Sequence, residues 1–387
     1  MLIATQLLFY PNQRMGNNFM SSTNLSGDFE EYENLHEFAR MAKKKLPIET
    51  WDYLMCGAET ETTLRRNRLA LDMLGFRPRV LHEVENVDCG SKVLGHDLKL
   101  PIILAPIGAL QDFDSDAGIA PTLAAADAGV IHMVSSRTEP GLEAVAKAID
   151  YPKIFQLYVR GDTSWVDDHI SLAIDSGYVG FAFTVDLDYY GRRERDLSKR
   201  HRTTARRTRQ AIEWQYRFTW ADIERIRKKF DIPLILKGIA TAEDSAIAVE
   251  SGIDAIYVSN HGGRQLDHGR GTLEILPEVV DAAGDRADIY IDGGFMRGTD
   301  IVKAMALGAD AVGIGRLQGL ALGANGRVGV ARMLELLEAE IRICLGLLGV
   351  TKYADLDQSY LHAVSPVEFP GPLSAFPLMF EDYLYER

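Results

Sequence analysis

The nine residues Ser259-Asn260-His261-Gly262-Gly263-Arg264-Gln265-Leu266-Asp267 set a histidine and an arginine three positions apart, around two glycines, directly after an apolar run. Histidine titrates near neutrality and can take a proton, whereas arginine keeps its charge and presents a planar fork that matches a carboxylate. On a loop at a strand end, such a pair can deprotonate an anionic substrate while holding its carboxylate. Tyr158, Asp186, Lys237, Asp292 and Arg316 lie at the ends of other apolar runs and could join them.

Those runs must become the elements that position the polar groups. Eight of them, at 102–108, 131–136, 154–159, 181–186, 233–238, 255–260, 289–293 and 311–316, are short, continuous and rich in Val, Ile, Leu and Phe. Unbroken apolar character marks strands covered on both faces, as in a parallel sheet. Between them, residues 219–229, 242–251 and 299–307 carry apolar residues at helical spacing, with Thr241 and Thr299 as expected N-caps. An eightfold strand–helix repeat predicts an α/β fold of the (β/α)8 TIM-barrel type rather than an open doubly wound sheet. Catalytic groups in such a barrel gather at the C-terminal strand ends, which here carry Gly108, Ser136, Tyr158, Asp186, Lys237, His261, Asp292 and Arg316.

The composition, 47% hydrophobic and 25% charged over 387 residues, suits one large core with extensions. Residues 28–356 are expected to form a single barrel domain with an N-terminal helical extension. Residues 1 to about 27 are expected to be mobile, and 357–387 to form a C-terminal tail rich in aromatic residues that packs on its own barrel or on a neighbouring subunit. No run approaches the ~20 apolar residues of a membrane span, and the apolar patch at 2–10 lacks the basic flank and cleavage site of a signal peptide. Cys56, Cys89 and Cys344 have no metal-ligand spacing and read as reduced thiols of a cytoplasmic protein, with no metal site. A net charge of -13 argues against nucleic acid, and the basic run at 192–209 reads as a solvated loop. Gly313-Ile314-Gly315-Arg316-Leu317-Gln318 begins like a dinucleotide fingerprint, but Gln318 replaces its third glycine and the run ends a last strand instead of opening a first one.

Ser259 to Asp267 resembles the S-N-H-G-G-R-Q-L-D signature of the FMN-dependent 2-hydroxy acid oxidases and dehydrogenases, a family that includes glycolate oxidase, lactate oxidase and mandelate dehydrogenase. Asp52-Tyr53, Phe155-Gln156-Leu157-Tyr158, Thr184-Val185-Asp186, Gly191-Arg192-Arg193-Glu194, Lys237-Gly238 and Asp292-Gly293-Gly294 match in register, so the resemblance spans about Glu33 to Leu348. It implies FMN-dependent oxidation of an (S)-2-hydroxy acid to the 2-keto acid. His261 would be the base and Asp186 the stabiliser of its imidazolium. Tyr158 would hydrogen-bond the substrate oxygen, and Arg264, Arg193 and Tyr53 would hold the carboxylate. Lys237 would sit at the flavin edge that gains negative charge on reduction. Pro106 and Gly108 would lie beside the flavin ring. Ser135, Gln156, Thr184 and Asp292 would complete the cofactor site, and Gly293, Gly294, Gly315 and Arg316 would hold the phosphate. The resemblance also implies a homotetramer and an acceptor that is oxygen, a quinone or a protein. Two alternatives stand beside it: a related flavoprotein that oxidises a modified peptide or another carbonyl-adjacent alcohol or amine, and a flavin-binding protein without turnover.

The chain departs from the family pattern in three places. Met296 stands where the family's Asp-Gly-Gly-x-Arg-Arg-Gly places its first arginine. Arg137 stands where relatives place an aromatic, apolar or small residue near the substrate side chain. It could pair with a second acidic group on the substrate, or with Asp112 or Glu139 at the pocket rim. The segment between Arg193 and Lys237 is short for a region that some relatives use as a lid or a membrane-binding insertion, and neither membrane nor nucleic acid is expected as a partner.

Overall fold

The apolar runs are buried on both faces because they close on one another. In a computed structural model, which describes residues 32–200 and 212–381, eight parallel strands form a closed barrel. They are β1 (Ile102–Leu104), β2 (Ile131–Ser135), β3 (Lys153–Leu157), β4 (Gly180–Thr184), β5 (Leu234–Ile239), β6 (Ala255–Val258), β7 (Asp288–Ile291) and β8 (Ala311–Ile314). Each pairs with its neighbour in sequence, and β8 returns to β1 with Val312 opposite Ile102. The chain is therefore a (β/α)8 barrel. Ile103, Met133, Ile154, Ile235, Tyr257 and Tyr290 fill its interior, and a hairpin of Ser91–Val93 and His96–Leu98 adds Val93 and Leu98 beneath them.

The strands stop earlier than the apolar runs suggest. Gly108, Ser136, Tyr158, Asp186, His261, Asp292 and Arg316 all lie beyond the last ladder residue, on the loops of the C-terminal mouth, and only Lys237 remains within a strand. The pairing of β5 with β6 is irregular between Lys237 and Ile239. Gly238 sits there at φ +118°, and a β-carbon on it would lie 2.8 Å from that of Asp186. This bulge re-aims the strand end and lets the acid come close.

Helices fill the connections. Thr219 and Asp222 form a capping box for Trp220–Lys229, and Thr241 accepts from the amide of Asp244 at the start of Ala242–Glu250. The expected cap at Thr299 is incorrect. That helix is Gly298–Ala306, and the carboxylate of Asp300 accepts the amides of Met296 and Arg297 at 3.0 and 3.1 Å, so an acid inside the first turn does the capping.

Before the barrel come α1 (Leu35–Lys45), α2 (Ile48–Met55) and α3 (Thr62–Asp72). Asn34 caps α1 by accepting from the amide of Glu37, and the amphipathic helix buries Leu35, Phe38 and Ala42. Near the other end of the chain, Leu361–Ala363 pairs antiparallel with Leu74–Phe76, and Phe376 and Met379 are buried while Val367 and Phe369 are exposed. Residues 1–27, the basic run beyond residue 200 and the aromatic residues Tyr383 and Tyr385 lie outside the described residues. No helix among the described residues is long and apolar enough to cross a membrane.

A buried ion pair ties α3 to the barrel. Arg68 meets both oxygens of Asp300 at 2.7 and 2.8 Å, and the pair holds Asp300 ionised, with its pKa below the usual carboxylate value despite burial. Removing Arg68 leaves Asp300 as a buried carboxylate without its paired cation, so Arg68→Met should cost about 3–5 kcal/mol. Denaturant unfolding would measure this, and a loss below about 1 kcal/mol, the range of an exposed pair, would contradict it.

Candidate active site

The strand-end loops enclose a cleft of about 1100 Å³. His261 lies in it at φ +59°, in the left-handed region. Histidine enters that region more readily than most side chains, and the strain costs about 1–3 kcal/mol, which the surroundings must over-determine. The amide of His261 donates to Ser259 Oγ at 3.1 Å. The same hydroxyl accepts from Lys237 Nζ and donates to Asp292 Oδ1, both at 2.6 Å, while Lys237 and Asp292 pair directly at 2.8 Å.

His261 Nδ1 lies 3.1 Å from Asp186 Oδ1, and its Nε2 lies 3.5 Å from the hydroxyl of Tyr158. An ionised carboxylate can only accept, so Asp186 fixes the ring proton on Nδ1 and leaves Nε2 as the basic nitrogen. Burial lowers the pKa of His261, Asp186 pulls it back up, and Lys237 and Arg193 add to the lowering. The net shift is downward, so the imidazole is neutral at neutral pH. Burial, and next Asp186, push the Tyr158 hydroxyl up, so it stays protonated.

Arg264 Nη1 donates to the carbonyl of Tyr53 at 2.6 Å, and its guanidinium lies 4.8 Å from the centre of the Tyr53 ring. The Tyr53 hydroxyl, brought in by α2, donates to Gly108 O at 3.1 Å. Arg193, only 3% exposed, stacks on Tyr190 at 4.3 Å. Its Nη2 donates to Gln265 Oε1 at 3.5 Å, and Gln265 Nε2 donates to the carbonyls of Asp186 and Tyr189 at 2.9 and 2.8 Å. Tyr53, Tyr158, Arg193, His261 and Arg264 therefore line one cleft, together with Arg137.

The other wall suits an anionic, ring-bearing cofactor. Arg316 opens a helix that runs to a kink at Asn325–Gly326, just after Gly315, where a β-carbon would meet only open space. Its Nη2 donates to the carbonyls of Cys56 and Gly262 at 2.8 and 2.9 Å, but Nε has no partner among the described residues. Burial, and next the charge of Arg264, push the pKa of Arg316 down to about 9. Two half-buried guanidiniums beside a helix N-terminus call for an anion, and the phosphate of FMN fits that demand beside Gly293 and Gly294, both at positive φ. Pro106, Gly108, Lys237 and Asp292 line the same cleft.

Met296 lines it too, whereas Arg297 turns away to pair with Glu340. Ser135, Gln156 and Thr184 are not among the lining residues. They are buried below the mouth, where Gln156 Nε2 donates to Thr184 Oγ1 at 2.9 Å and Ser135 Oγ accepts from the amide of Arg137 at 3.2 Å. Gly313, in the fingerprint-like run, makes room for a neighbour: a β-carbon on it would lie 1.6 Å from the hydroxyl of Tyr257.

Sequence reasoning missed Ser259 and Gln265 as positioning groups, although both stand inside the nine-residue motif. It also missed Leu187, Tyr190 and Arg160 in the lining. Arg160 lies two residues after Tyr158, a signal that could have found it.

The model of the FMN-dependent dehydrogenase family matches residues 42–363. Glycolate oxidase 1 of Oryza sativa subsp. indica is 36% identical over 354 residues, covering 86% of this chain and 96% of that protein. An L-lactate oxidase of Nostoc sp. is 37% identical over 358 residues, covering 85% and 98%. A crystal structure of mandelate oxidase superposes with a TM-score of 0.81 at 35% identity, covering 87% of this chain and all of that one. The chain thus belongs to the FMN-dependent dehydrogenase family and is an FMN-dependent oxidoreductase of the 2-hydroxy acid oxidase group.

Proposed function

We propose that the protein oxidises an (S)-2-hydroxy acid to the 2-keto acid, with oxygen as the electron acceptor. The observation that carries this reading is His261, with Nδ1 on Asp186 and Nε2 facing Tyr158 in a cleft that Arg193 and Arg264 also line. The relatives named glycolate, L-lactate and mandelate oxidases support both the substrate class and oxygen.

Arg264 and Arg193, with the Tyr53 hydroxyl as a further donor, hold the substrate carboxylate. Tethering of Arg264 to the Tyr53 carbonyl presets its orientation, which lowers the entropy lost on binding. His261 Nε2 receives a proton from the carbinol centre. Asp186 then faces an imidazolium instead of an imidazole, so its attraction is strongest after transfer. Tyr158 donates to the substrate oxygen as charge redistributes there. FMN supplies the two-electron acceptor. Lys237, held by Asp292 and Ser259, would present its ammonium to the flavin edge that gains negative charge on reduction.

Exposed apolar side chains at Leu81, Val367 and Phe369 support association into a homotetramer. The acidic chain with unbridged, buried cysteines supports a cytoplasmic setting.

Anaerobic addition of L-lactate, glycolate, L-mandelate, L-malate and L-2-hydroxyglutarate to the FMN-loaded protein should bleach the flavin band with at least one of them, and air should restore it. A band that none of them bleaches would refute the proposal. Bleaching that persists in air would refute oxygen as the acceptor.

The kcat/KM profile reports the free enzyme's base. Because burial lowers His261 below its ordinary value of 6.5, the acid limb should fall below pH 6.5, with activity lost as pH drops through it. Asp186→Asn removes the group that raises this pKa, so the limb should move further towards acid while kcat falls by roughly 10²–10⁴. A wild-type limb at or above about pH 7 would contradict the assignment of His261.

A further inference from the structure

The described residues that line the cleft include the cations Arg137, Arg160, Arg193, Lys237, Arg264 and Arg316, against one carboxylate, Asp292, already paired with Lys237. Arg316 suits a phosphate, and Arg193 and Arg264 suit one substrate carboxylate. Arg137 and Arg160 form a separate group. They follow β2 and β3, adjacent strands in which Ser135 pairs with Gln156. His261 and Arg264 follow β6, which in the eight-stranded ring lies directly across from β2. A substrate held by its first carboxylate at Arg264, with its carbinol at His261, therefore extends its far end across the mouth towards Arg137 and Arg160.

Gly108 opens that path. A β-carbon on it would lie 3.1 Å from that of Arg137 and 3.7 Å from the Tyr53 hydroxyl, so its bare backbone is where the first carboxylate's donor and the stem of Arg137 come together. The backbone also fixes Arg137, whose carbonyl accepts from the amide of Ala109 at 2.9 Å. Burial first, and the charge of Arg137 second, lower the pKa of Arg160, so the two guanidiniums act on each other through the cleft wall. Two guanidiniums that follow adjacent strands and line one ligand cleft suit a carboxylate that both can reach.

We propose that the preferred substrate is a dicarboxylic 2-hydroxy acid, its second carboxylate bound by Arg137 and Arg160. This rests on the 2-hydroxy acid reading above and names the substrate within it.

The test compares chain-matched pairs on the FMN-loaded enzyme: L-malate against L-2-hydroxybutyrate, and L-2-hydroxyglutarate against L-2-hydroxyvalerate. The wild type should favour a dicarboxylate over its partner by at least about tenfold in kcat/KM, the worth of one charge-assisted hydrogen bond. In Arg137→Leu, that ratio should fall by about tenfold or more. Arg160→Leu should lower it in the same direction, and retention of bound flavin reports that each variant is folded. Monocarboxylates that reduce the flavin as well as their dicarboxylic partners, or ratios unmoved in both variants, would overturn this proposal and leave the parent reading standing. Failure of every acid in both series would overturn both.

Discussion

The barrel mouth depends on one buried arrangement, the Lys237–Asp292 ion pair with the Ser259 hydroxyl between its members. Lys237 belongs to β5, Ser259 follows β6 and Asp292 follows β7, so three successive strand ends meet at one point. A serine hydroxyl has one proton to give and two lone pairs to fill. Here it donates to Asp292 and accepts from Lys237 and from the amide of His261. A buried pair of this kind adds little net stability, but leaving either half alone is costly. It therefore acts mainly by fixing positions. The charge that Lys237 brings to the cofactor wall and the strained backbone that aims His261 are held by the same oxygen.

Two opposing effects set the state of the base. Burial and the nearby cations favour neutral imidazole, while Asp186 favours imidazolium, and burial prevails in the free enzyme. The sequence suggested that Asp186 would raise this pKa. The direction of its own contribution agrees, but no count of charges along a chain reveals the desolvation that outweighs it. The balance suits catalysis, since the group is ready to accept a proton on arrival of substrate and gains the attraction of Asp186 only after accepting it. The bulge at Gly238 makes this possible by giving Asp186 room.

The barrel was legible because parallel strands buried on both faces leave unbroken apolar runs, and all eight runs became strands in order. Most of their ends were read too long, since a polar residue after an apolar run marks where the chain meets the mouth, although the amides of Ser136 and Asp292 still donate to carbonyls of the neighbouring strands. Thr299 was misread as a cap because the side chain of Asp300, in the first turn, takes the amides instead. Among the candidate residues, those in the nine-residue motif and at the strand ends come together. Ser135 and Thr184 end their strands and Gln156 lies within its own, all three buried, and Gln156 Oε1 has no partner among the described residues. Arg160 escaped notice because one arginine on a loop carries no sign of facing another that follows a neighbouring strand.

The cleft also bears on how the protein tolerates its own charge. Arg264 and Arg316 are close enough for the charge of one to depress the pKa of the other. Like charges held together in a half-buried cleft oppose one another unless counter-ions offset them. Anionic ligands that bind only the folded state supply that offset, and their contribution grows with concentration relative to Kd. Bound FMN would then act as a counter-ion as well as an electron acceptor, and Met296 fits this balance. A guanidinium there would line the same cleft as Arg316 and add to a repulsion already present, whereas a thioether brings no charge. The helix N-terminus at Arg316 supplies anion affinity through amides whose partial charges carry no such cost.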